Sequence, residues 1–139
     1  MTRTISAFVF APLLMVWVSG CSKGEACTKA RLEAADAWKS VYEQSGKMKL
    51  SGGPSFEELT KDKQADHTKQ LEVVETQSDM VFKSFAYEKI TWKTAAPARE
   101  KANTTWDGYF NKGQYPSFAG SLKTANAQYE VVAAACGTD

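Results

Sequence analysis

Residues 27–48 read CTKARLEAADAWKSVYEQSGKM, and within them Cys27, Ala30, Ala34, Ala37, Trp38, Val41 and Met48 recur at intervals of three, four and seven. That is the α-helical period, and it places one apolar stripe along one face. The stripe is rich in alanine, which predicts close approach by a partner helix, since interaxial distance follows the size of the side chains in contact. Gly, Ser and Pro between Gly46 and Pro54 predict the end of this helix.

Working outward, the same period returns three more times. Ser55 and Glu58 stand in the S-x-x-E relation of a capping box, as do Ser22 and Glu25 ahead of the first helix. Leu71, Val74, Ser78, Val81, Phe82 and Phe85 form the second stripe, which predicts one long helix from about 56 to 92. Its N-terminal third is mostly charged or amide and is expected to project from or cap the bundle. Pro97 restricts Ala96 and itself, so a turn is expected at about 93–97. Ala98, Ala102, Thr105, Trp106 and Tyr109 give a third stripe. Beyond the connector Tyr115-Pro116-Ser117, a fourth consists of Phe118, Leu122, Ala125, Tyr129, Val132 and Cys136, with Gly137 as its stop. The expected fold is all-α, a roughly four-helix up-down-up-down bundle.

The chain has 139 residues, 17 Lys+Arg against 16 Asp+Glu, three Cys and one His. This is one domain's worth of material. The near-neutral charge offers no electrostatic footprint for nucleic acid. A single histidine excludes sites that need two imidazoles, including the paired Glu-x-x-His centres of di-iron bundles.

The N-terminus has the layout of an export signal. After Arg3, residues 5–18 are apolar apart from Ser6 and Pro12, and the small pair Ser19-Gly20 precedes Cys21. The run is of signal length and short of the roughly 20 residues a spanning helix needs. Val18-Ser19-Gly20-Cys21 resembles the lipobox of bacterial lipoproteins, with Val18 in place of the commoner Leu. The resemblance covers residues 1–21. It implies cleavage before Cys21, a thioether-linked diacylglycerol on Cys21, usually N-acylation as well, and a place in a bacterial cell envelope. Ser22 resembles the outer-membrane sorting pattern in hosts with two membranes. Ordinary secretory cleavage near Ser19-Gly20 is the alternative, and a retained anchor is a weaker one. On the lipobox reading, 1–20 is a cleaved signal peptide, 21–26 a short tether and 27–139 a single helical domain. The mature chain then carries 16 basic and 16 acidic side chains, so the lipid is the expected membrane attachment.

With Cys21 lipidated, Cys27 and Cys136 remain as a pair in a compartment where disulfides form. They stand at the start of the first stripe and the end of the last, which meet in an up-down-up-down bundle. A 27–136 bridge is therefore expected to close the fold, with two buried thiols or an intermolecular bridge as the alternative. The cysteine end is expected to face the lipid, with loops 47–54 and 111–116 at the far end.

Little in the chain suggests catalysis. His67 beside Asp66 reads as a solvated polar face, no G-x-S-x-G elbow or phosphate loop is present, and no catalytic residue, metal ligand set or cofactor is expected beyond the covalent lipid. Trp106, Tyr109, Phe110, Tyr115 and Phe118 concentrate aromatic surface near one turn. They either plug the core or offer a patch for a protein partner. Phe110, adjacent to Tyr109 and about 100° from it on a helix, is the expected exposed member. The leading functional expectation is a non-enzymatic binding module in the envelope, followed by a structural or assembly subunit and then a small-ligand carrier with a pocket lined by Trp38, Val81 and Trp106.

Overall fold

The computed structural model describes residues 20–51, 56–110 and 115–138, with the backbone alone for 20–23 and 51. The apolar run 5–18, lipobox residues Val18 and Ser19, Ser55, and the loop positions 52–54 and 111–114 lie outside the described residues. The elements are α1 (Gly20–Ser51), a 3-10 turn (Phe56–Glu58), α2 (Lys61–Ala86), α3 (Trp92–Tyr109) and α4 (Pro116–Cys136).

Cross-links between the helices fix an antiparallel ring. Arg31 near the start of α1 reaches the end of α2, and His67 near the start of α2 meets Phe110 just past α3. Arg99 of α3 pairs with Glu130 of α4, and Cys27 of α1 is bonded to Cys136 of α4 with their Cα atoms 4.9 Å apart. The fold is thus the expected up-down-up-down bundle, closed by a disulfide between its first and last helices.

The apolar stripes form the core. Trp38, Val41, Leu71, Val74, Val81 and Phe85 are fully buried, as are Ala34, Ala95, Ala102 and Ala125. Burying such side chains contributes roughly 1.5–3 kcal/mol for each Val, Leu or Phe, which outweighs the fractions of a kcal/mol that separate most residues in helix propensity.

Three expected boundaries are corrected, and each correction has a packing cause. α1 runs through Gly46 to Ser51, inside the expected terminating stretch 46–54 but into the expected 47–54 loop. A Cβ at Gly46 would lie 2.8 Å from the Glu75 carboxylate, which bonds Lys49 one turn further along α1 at 2.7 Å. The glycine therefore marks a close approach of α2. The long helix expected from 56 to 92 is divided at Leu59-Thr60. Thr60 is the N-cap of α2, its hydroxyl accepting from the Lys63 amide at 3.3 Å, while the Gln64 amide side chain donates to the Phe56 carbonyl at 3.1 Å. At the other end α2 stops at Ala86, and the turn lies at 87–91 instead of 93–97. Pro97 sits inside α3. It is exposed and lies just past the first turn, so it forfeits one helical hydrogen bond on the solvent side, while Ala95, Ala98, Ala102 and Trp106 on the opposite side are buried.

The segment 21–26, expected as a tether, is part of α1. The helix begins at Gly20, ahead of the expected capping residue Ser22. Six residues of helix rise about 9 Å, half the reach of the extended chain.

Candidate functional site

The end of the bundle away from the disulfide is built from aromatic rings around His67. This imidazole is 5% exposed, which corrects its reading as part of a solvated face. Its ring centroid lies 5.1 Å from Phe110, 5.4 Å from Phe56, 5.9 Å from Tyr109 and 6.4 Å from Tyr115. The cluster continues inward, with Trp106 stacked on Phe110 at 4.9 Å and against Phe118 at 4.5 Å. Edge-to-face and offset arrangements of this kind match the quadrupoles of the rings.

Of the four residues expected as a partner surface, Phe110, Tyr115 and Phe118 are buried and Tyr109 is 37% exposed. The expected order is reversed, since Tyr109 and not Phe110 faces outward. Phe110 is the C-cap of α3 in extended conformation, so the chain leaves the helix there and turns the ring inward, onto His67 and Trp106. Burial pushes the Tyr109 hydroxyl above the ordinary tyrosine range, and the charge of Asp66 and a hydrogen bond to it push in the same direction. Tyr115 is raised by burial, with a smaller contribution from Tyr109. The outer rim of this end is thus a tyrosine hydroxyl beside a carboxylate.

The disulfide end contains a polar device that periodicity does not reveal. Arg31, 7% exposed, donates from Nη1 to the carbonyl oxygens of Phe85 at 2.8 Å and Tyr87 at 2.7 Å. A cation thereby caps carbonyls at the C-terminus of α2, where the helix dipole is negative. Above it Phe85, Trp92 and Tyr129 form a triangle of edge contacts at 5.5 to 5.7 Å. The sequence signal for Arg31 was its position, three residues before Ala34 and one after Ala30, on the flank of the stripe.

The α3–α4 seam is held by longer polar side chains. Asn103 and Asn126 exchange reciprocal hydrogen bonds of 2.9 Å, the Arg99 Nε donates to Asn126 at 2.8 Å, and the Arg99 guanidinium lies 4.1 Å from the centre of the Tyr129 ring. Burial raises the Tyr129 hydroxyl, and Arg99 opposes the shift. Two neighbouring grooves of about 410 and 370 Å³ follow this seam, both touching Asn103 and Asp107. Trp38, Val81 and Trp106 are at most 1% exposed; Trp38 and Val81 are packed in the core, and Trp106 borders the groove of about 410 Å³ on the α3–α4 seam, so the three do not line one shared pocket.

Among the described residues, no group of three His, Cys, Asp or Glu side chains is arranged to hold a metal ion, and no helix is long and apolar enough to cross a membrane. Cys27 and Cys136 are committed to each other. No family model, no curated protein and no solved structure matches this chain.

Proposed function

We propose that the chain is a lipid-anchored protein of a bacterial envelope whose helical bundle serves as a non-enzymatic binding module. The observation that carries this reading is the division of the cysteines. Cys27 and Cys136 are joined at one end of the bundle, which suits an oxidising compartment, and Cys21, the cysteine of the lipobox-like run, lies outside that pair. Two or three acyl chains at about 0.8 kcal/mol per buried CH₂ hold a protein on a bilayer essentially permanently. With Ser22 after the lipidated residue, the outer membrane is the favoured location in a host that has two.

The partner-facing region on this reading is the end opposite the anchor, where Tyr109 stands exposed beside Asp66. A structural or assembly role is the second reading, and the exposed Leu32 and Val131 on α1 and α4, each close to half exposed, are what favour it. The small-ligand carrier has less support, because Trp38 and Val81 are enclosed in the core and of the three only Trp106 borders an open groove.

Intact-mass measurement of the protein extracted from membranes tests the anchor. The expected species lacks residues 1–20 and carries a diacylglyceryl adduct, whereas the mass of an unmodified chain rejects it. Crosslinking in the native envelope from a photoreactive residue at Tyr109 tests the binding role. A defined protein adduct is expected there, and capture of further copies of the same chain would favour the assembly reading instead.

A further inference from the structure

The loop between α2 and α3 closes the same end of the bundle as the disulfide. Tyr87 is 67% exposed, Glu88, Lys89 and Thr91 are exposed, and Ile90 and Trp92 are half-buried. The exposed tip is Tyr87, Glu88 and Lys89, with Ile90 and Trp92 packed behind it against the core, and an exposed tyrosine beside a lysine is a pairing that settles at a membrane interface. Aromatic rings of this type sit at headgroup level, and a lysine stem lies on apolar surface while its ammonium reaches outward.

The loop is also held in place. Arg31 binds the Phe85 and Tyr87 carbonyls, and Trp92 packs edge-on against Phe85 and Tyr129. Tyr87 is therefore presented from a fixed backbone, which reduces the ordering cost of a contact.

The reach between anchor and loop is short. α1 is continuous from Gly20, so Cys21 stands about 9 Å beyond Cys27 along the helix axis. Helical side chains lean toward the N-terminus of their own helix, so Arg31 carries the 87–91 loop to the Cys27 side of its own level. A headgroup layer of about 5–7 Å and the length of a tyrosine side chain together span most of the remaining distance, and a modest lean of the bundle closes the rest.

We propose that the Tyr87–Trp92 loop seats on the phospholipid headgroups beside the anchor and fixes the bundle's orientation, with the His67 end pointing away from the membrane. This rests on the lipid-anchored reading of Cys21. The loop adds an oriented contact to an attachment that the acyl chains already make permanent.

The test uses the full chain, expressed in a bacterial host, extracted from membranes and returned to vesicles of phosphatidylethanolamine and phosphatidylglycerol that contain a nitroxide-headgroup phospholipid. Tyr87→Trp places a reporter on the loop and Tyr109→Trp places one at the opposite end. Several-fold stronger quenching of the added emission is expected for Tyr87→Trp than for Tyr109→Trp. Equal quenching at the two positions overturns the proposal. The unsubstituted protein gives a second reading, since among Trp38, Trp92 and Trp106 only Trp92 lies beside the loop: the part of its emission that the nitroxide quenches is expected to recover when Tyr87→Asp breaks the contact, and no change on that substitution also counts against the proposal. The mass of the same samples separates the two levels of inference. An acylated protein without loop quenching rejects the docking and leaves the anchor standing, while an unmodified mass rejects the anchor itself.

Discussion

The two ends of the bundle are closed by different physics. At the Cys27–Cys136 end, a triangle of Phe85, Trp92 and Tyr129 is reinforced by covalent and charge-assisted closure, one disulfide and one arginine holding two carbonyls. At the His67 end the closure is made by ring packing, with Phe56, Tyr109, Phe110 and Tyr115 around an imidazole and Trp106 stacked on Phe110 behind them. The first kind of closure depends on a few specific bonds, so single changes remove it in discrete steps. The second is spread over many contacts of small individual strength, so it is damaged in proportion to the volume removed.

The sharpest break of this contrast is the double substitution Cys27→Ser with Cys136→Ser. The bridge spans 109 positions in sequence, and a loop of that size is worth about 4–5 kcal/mol in the chain-entropy account. Urea unfolding of the double variant, and of the parent protein in reductant, should show this loss; matching midpoints with and without reductant would show that the bridge does not hold the ends together. At the other end, Phe110→Ala should cost about 3–4 kcal/mol as a large-to-small core change. It should also shift the fluorescence of Trp106, which stacks on Phe110 at 4.9 Å. Unchanged Trp106 emission would argue against that packing.

Arg31→Met comes next, at about 2–3 kcal/mol, because the two carbonyls lose a charged donor. Hydrogen exchange should locate the effect at the end of α2, and uniform exchange changes along the bundle would point to a different role. The smallest effect is alkaline. Tyr109, Tyr115 and Tyr129 all have hydroxyls raised by burial, so folding favours the protonated form. That contribution is fully present below the ordinary tyrosine value of about 10 and is lost as pH rises through the folded values. Tyrosinate absorbance should therefore appear late in the folded protein and earlier in urea. Coincident titration curves would remove the pH-linked part of the contrast.

Much of this architecture was legible in the sequence because burial and helical period coincide. Ala30, Ala34, Trp38 and Val41 on α1, and Phe118, Leu122, Ala125, Tyr129 and Val132 on α4, fall on their stripes and are buried. The misplacements concern residues whose local preference is weak against packing. Gly46 carries a helix penalty of about 1 kcal/mol relative to Ala, and Pro97 costs one hydrogen bond on an exposed face. Both are small beside the apolar surface that α1 and α3 bury. Arg31 and His67 were illegible for a related reason. A polar side chain on the edge of a stripe reads as solvated, and its burial depends on acceptors and rings brought in from distant positions.

Period, small residues and cysteine placement by themselves determined an all-α bundle with its chain ends joined, because each is a property of neighbouring positions along one helix. The tertiary structure alone decided where α2 ends and α3 begins, that Phe110 turns inward while Tyr109 faces out, and which polar groups are enclosed. Those outcomes depend on free energies of contact between helices, which are comparable to or larger than the local preferences that a sequence displays.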